Sequence, residues 1–131
     1  MLLTIEFESD VPLYQQIKNQ VITGIAQGKL KPGESLPSVR QLAADIGINF
    51  HTVNKVYQQL KQENWVVIHR KSGVIINPEL NLQADEAYRA SLKSTLEVLF
   101  AEAHLRGMTL EESHQLVNTL YHSFEQEVSP S

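Results

Sequence analysis

Helical periodicity over residues 11–62, two short β-prone runs within residues 65–76, and renewed helical periodicity from residue 85 predict a mainly α protein with a small β-hairpin wing. Three helices followed by a hairpin outline a winged helix-turn-helix domain, assigned to residues 1–78. Residues 79–131 are assigned to a two-helix C-terminal tail.

The first helix is expected over residues 11–27. Tyr14, Ile17, Val21 and Ile25 recur at three- and four-residue spacing, while Gln15, Gln16, Lys18, Asn19 and Gln20 fill the other face. Pro12 suits the first turn, where its missing N–H costs nothing, and Gly28 suits a C-terminal stop. Pro32-Gly33 marks a tight turn. Ser38 can cap a second helix, with Gln41 in the capping-box place and Val39, Leu42, Ala43 and Ile46 as its apolar face. Gly47 then supplies a turn with positive φ, and Asn49 can cap the third helix, whose stripe is Val53, Val56, Tyr57 and Leu60. Asn64 closes that helix, because Asn tolerates the left-handed conformation. Residues 65–68 and 73–76 form the hairpin strands around His69-Arg70-Lys71-Ser72, and Asn77-Pro78 ends them.

In the tail, a helix over residues 85–105 carries Leu92, Leu96, Leu99, Phe100 and Ala103 on one face. Arg106-Gly107-Met108 is a break. Thr109, with Glu112 three residues on, makes a second capping box, and Val117, Leu120, Tyr121, Phe124 and Val128 form the last apolar stripe. Residues 129–131 are expected to be disordered.

The net charge of −4 is unevenly spread. Residues 1–78 hold eight Lys and Arg against six Asp and Glu, whereas residues 79–131 hold three against nine. An acidic whole argues against coating nucleic acid by bulk charge, and leaves room for a small basic surface on an acidic body. With no cysteine, disulfides, thiolate zinc sites and a cysteine nucleophile are excluded. The N-terminus has no basic region or small-residue cleavage site, and no apolar run nears the ~18 residues of a membrane span, so a cytoplasmic protein is expected.

Two short helices joined through Gly47 have helix-turn-helix spacing, in which the second helix enters the DNA major groove. Its exposed N-terminal face offers His51, Thr52, Asn54 and Lys55, all hydrogen-bonding types and none acidic. Asn reads adenine and Lys reads guanine, while hydroxyls hold phosphates. Arg40 can reach the same backbone, and the tip Arg70-Lys71-Ser72-Gly73 is the most basic short run of the chain. Taken singly, a polar helix face is only a solvated face and a basic tip only a solubilised turn. Their fixed order around the Gly47 turn brings double-stranded DNA as the partner level with those plainer readings.

The run from Pro12 to Leu60 closely resembles the winged-helix domain of the GntR family of bacterial transcription regulators. The phrases that carry the match are Pro12-Leu13-Tyr14, Gly28-Lys29-Leu30, Pro32-Gly33-Glu34, Leu36-Pro37-Ser38-Val39-Arg40 and Thr52-Val53. The resemblance covers roughly residues 11–77, and the short tail is similar to that of the YtrA subfamily, in which it serves dimerisation and whose members often repress neighbouring transporter genes. It implies DNA contacts from Ser38 and Arg40, from Asn49, His51, Thr52, Asn54 and Lys55, and from the wing tip near Gly73. It also implies a repressor reading a pseudo-palindromic operator. Three positions depart from the family pattern: Phe50 stands where a small residue, Pro or Arg is frequent, Lys71 replaces a wing glycine, and Asn64 replaces a common glycine.

Leu92, Leu96, Leu99, Phe100, Val117, Tyr121 and Phe124 are too many large side chains for two helices to bury on each other, at about 1.5–3 kcal/mol for each one. A homodimer through the C-terminal helices is therefore expected, which would space two recognition helices about one DNA turn apart. The rival readings are a protein-binding winged helix and a ligand-sensing regulator with a pocket between subunits. His104, His114 and His122 lack metal-ligand spacing, so no metal or cofactor is expected. No phosphate loop, nucleophile elbow or convergent carboxylate pair supports an enzyme.

Overall fold

The computed structural model describes residues 4–71 and 73–125. Its elements are α1 (Leu13–Ala26), α2 (Val39–Ile46), α3 (Phe50–Gln62), β1 (Val66–His69), β2 (Gly73–Ile76), α4 (Glu86–Leu105) and α5 (Leu110–Phe124). The chain divides into two compact units, one ending at Leu80 and the other beginning at Asn81.

In the first unit, the apolar stripes of the three helices meet over one face of the hairpin. Ile17 and Val21 of α1, Leu42 of α2 and Val53, Val56, Tyr57 and Leu60 of α3 are buried together with Val66, Val74 and Ile76. Pro12 stands one residue outside α1 as its N-cap, not within its first turn, and its carbonyl accepts from Gln16 N. Ser38 caps α2 by accepting from Gln41 N, but the other half of the expected capping box is missing: the Gln41 amide instead donates to Asp45 Oδ1 at 2.7 Å. Gly47 closes α2 at φ 67°, and Asn64 turns the chain out of α3 at φ 68°.

The hairpin is antiparallel, with Val66 facing Ile76 and His69 facing Gly73. A third edge lies beside it. Ser35 bridges to Ile75, Leu36 N donates to Val74 O, and Ile76 N donates to Glu34 O, both at 2.8 Å. The Pro32-Gly33 turn is thus followed by an isolated bridge to the hairpin, too short to show a period of two.

The polar face of α1 is not simply solvated. Gln16 and Gln20 hold the preceding segment as a ladder partner would. Gln20 Nε2 donates to Thr4 O at 2.7 Å and Gln20 Oε1 accepts from Thr4 N at 3.0 Å. Gln16 likewise bonds both backbone groups of Glu6. On the same helix the Tyr14 hydroxyl donates to the Glu63 carboxylate at 3.0 Å, and Lys18 Nζ lies 3.2 Å from Glu63 Oε1. Burial alone would lower the Lys18 pKa, but its hydrogen bonds with Tyr14 and Glu63 and the Glu63 charge outweigh that and raise it. These bonds tie α1 to the end of α3.

In the second unit, Asp85 caps α4 by accepting from Tyr88 N, and Thr109 and Glu112 form the complete capping box of α5. Gly107, at φ 91°, makes the turn between them. The two helices make little contact with each other. No residue of either is buried: Leu99 is 59% and Tyr121 61% exposed, while Leu96, Phe100 and Phe124 are half-buried.

Candidate nucleic-acid interface

The Gly47 turn decides which side chains share a surface. Its left-handed backbone lets Ile48 N return to Ala43 O at 3.0 Å, so α3 starts immediately beyond α2. Asn49 Oδ1 then accepts from His51 N at 2.7 Å and caps α3. With Val53, Val56, Tyr57 and Leu60 turned into the core, the helical period leaves His51, Thr52, Lys55, Gln58 and Gln62 exposed, and Asn54 half-buried on the flank. Ser38 and Arg40 are exposed at the first turn of α2.

None of Arg40, His51, Thr52, Asn54 or Lys55 uses its side chain in a hydrogen bond or ion pair among the described residues. Their donors and charges are unspent. By contrast, the Ser38 and Asn49 oxygens each accept from a backbone N–H of the helix they cap, which leaves the Ser38 hydroxyl proton and the Asn49 Nδ2 protons as donors. At the wing, Arg70 and Lys71 are exposed and Gly73 has φ 75°, whereas Ser72 lies outside the described residues.

Phe50 has a place that sequence reasoning missed. The sequence marks it only as a departure from the family pattern. In the fold its ring, 38% exposed, lies 5.1 Å from the Arg40 guanidinium and meets the His51 imidazole edge-on at 5.6 Å. An aromatic residue directly after a cap, ten positions from an exposed arginine, was the available signal. Its meaning depended on the angle between the two helices.

The tail residues expected at an interface, Leu92, Leu96, Leu99, Phe100, Val117, Tyr121 and Phe124, remain exposed or half-buried in the single chain. Val128 falls outside the described residues, as do residues 129–131. A cleft of about 380 Å³ at the α4–α5 turn is lined by Phe100, His104, Met108, Leu110, Ser113, His114 and Val117. Among the described residues no group of three or more His, Asp or Glu could hold a metal ion, and no helix is long and apolar enough to cross a membrane.

Residues 13–76 match the family described as bacterial regulatory proteins, gntR family. The HTH-type transcriptional repressor YtrA of Bacillus subtilis (strain 168) is 33% identical over 91% of this chain and 92% of its own length. Among solved structures, YtrA from Sulfolobus acidocaldarius, described as a GntR-family transcription factor, is 36% identical, covers 90% of this chain and 95% of its own, and superposes with a TM-score of 0.54. A transcriptional antiterminator from Listeria monocytogenes EGD-e, 24% identical, shares the fold across 100% of this chain and 98% of its own, with a TM-score of 0.84. The winged helix-turn-helix, the unspent polar face of α3 and these relatives agree: the chain belongs to the GntR family of bacterial regulatory proteins and is a DNA-binding transcription regulator.

Proposed function

We propose that the protein is a homodimeric, non-enzymatic repressor in the cytoplasm that reads a pseudo-palindromic operator. The unit ending at Leu80 binds DNA, and the α4–α5 unit dimerises. The observation that carries this reading is the exposed set Arg40, His51, Thr52 and Lys55 on the two sides of the Gly47 turn, whose side chains have no hydrogen-bond or ion-pair partner among the described residues. Arg40, Lys55 and Arg70 hold phosphates or guanines, with Lys71, Gly73 and Ser72 at the wing tip against the backbone. His51, Thr52 and Asn54 discriminate bases, and Ser38 and Asn49 place helix N-termini on phosphates. Such N-termini attract anions through their free N–H groups. The B. subtilis relative, named a repressor, supports the sign of regulation. The regulated genes in this reading are those of a neighbouring transporter operon, as the YtrA-like tail implies.

The test is fluorescence anisotropy against the protein's own upstream promoter duplex and a scrambled duplex of equal length, at two salt concentrations. The expected result is salt-steep binding with a preference of at least ~10³-fold for the promoter. Equal, weak binding to both duplexes would overturn the reading.

A further inference from the structure

We propose that Phe50 is a positioning residue for DNA recognition: its ring orients the Arg40 guanidinium of α2 and the His51 imidazole of α3 as one unit. The inference rests on the reading of this face as the DNA surface.

Arg40 is exposed and has no hydrogen-bond or ion-pair partner among the described residues, so by itself it would sample many rotamers. Ordering such a side chain on DNA costs free energy that a preorganised one does not incur. At 5.1 Å from the Phe50 centroid the guanidinium is within cation–π range of the ring. A guanidinium resting on a ring by its face keeps its in-plane N–H donors free, which are the donors a phosphate or the O6/N7 edge of guanine requires. The same ring meets His51 at an interplanar angle of 86°, with the aromatic edge-to-face geometry. Phe50 is the first residue of α3, adjacent to the Asn49 cap, so its backbone is held by the helix start. The ring is 38% exposed, so its faces are open to both polar side chains. A leucine there would keep the apolar volume and lose the π-face.

Two measurements test this. In the DNA-free protein, NMR should show the Arg40 Hδ protons shifted upfield by the ring current in wild type, and the shift lost in Phe50→Leu. On promoter DNA, Phe50→Leu should weaken binding roughly three- to tenfold, the cost of ordering one long side chain. Phe50→Tyr should restore it, and Phe50→Leu should add little in an Arg40→Ala background. An unshifted Arg40 in wild type, a Leu variant that binds as wild type does, or an undiminished Leu effect without Arg40 would each overturn the proposal. Loss of melting temperature in Phe50→Leu that Phe50→Tyr does not reverse would also overturn it, by showing a purely structural role. If wild type shows no promoter preference, the DNA reading falls and this role with it. If wild type and Arg40→Ala differ as expected while Phe50→Leu does not, only the Phe50 role falls.

Discussion

The Tyr57 hydroxyl donates a 2.7 Å hydrogen bond to the carbonyl oxygen of Pro37. Tyr57 is 1% exposed in the third turn of α3, and Pro37 directly precedes Ser38, the cap of α2. One bond therefore fixes where α2 begins relative to the core side of α3. Because Arg40 follows two residues after that cap, the bond also sets how far the guanidinium reaches toward Phe50.

Replacing Tyr57 by Phe should cost about 1 kcal/mol at neutral pH, the usual worth of one internal hydrogen bond, read as a fall in the urea midpoint. The pH dependence has a definite sign. Burial pushes the Tyr57 phenol well above its ordinary 10.0. The native state then keeps the proton that the unfolded chain releases, so its contribution is intact below pH 10 and is lost as pH rises beyond it. The slope is up to about 1.4 kcal/mol per pH unit for this one group. Tyr57→Phe should unfold less steeply between pH 10 and 11. An identical alkaline profile in the two proteins would remove Tyr57 as the cause.

Gly47→Ala should destabilise the protein by about 1–2 kcal/mol, the cost of a left-handed conformation with a Cβ. No atom lies within 4 Å of the added Cβ, so the cost is in the backbone alone. Gly47→Asn should cost less, because Asn visits that region more readily. Equal midpoints for the Ala and Asn variants would contradict this account.

Arg40→Ala should weaken operator binding by on the order of 1–3 kcal/mol with little change in melting temperature, since Arg40 is exposed and, beyond its contact with the exposed Phe50 ring, makes no hydrogen bond or ion pair among the described residues. Lys55→Ala, if Lys55 holds a phosphate, should reduce the salt slope by about one and weaken all duplexes alike. Anisotropy at four salt concentrations separates the two roles. A Lys55 variant with wild-type slope and altered base preference would make it a base reader.

The tail predicts the assembly. With Leu92, Leu99, Val117 and Tyr121 all more than two-fifths exposed, the protein should sediment as a dimer. Leu99→Glu with Tyr121→Glu should shift it to monomer and reduce operator affinity by more than tenfold, because each half-site then binds independently. A double variant that remains dimeric would move the interface elsewhere.

The elements and their order were legible in the sequence because they are local. Stripes at helical spacing, the Ser38, Asn49 and Thr109 caps, and the left-handed Gly47 and Asn64 depend on residues within about four positions of each other. The exposed face of α3 follows from the same arithmetic, since burying Val53, Val56, Tyr57 and Leu60 leaves His51 and Lys55 outward.

What only the tertiary structure decided lies between residues far apart in the chain. Arg40 meets Phe50, Tyr57 meets Pro37, Tyr14 and Lys18 meet Glu63, and Gln16 and Gln20 hold the segment before α1. Ser35 joins the hairpin as a third edge. These are polar and aromatic partnerships that no period announces, since a glutamine reads the same whether it bonds water or a backbone strand. Periodicity reports which face of an element is apolar. The crossing angle of two packed helices, set by their interlocking side chains, determines which residues on the remaining faces meet.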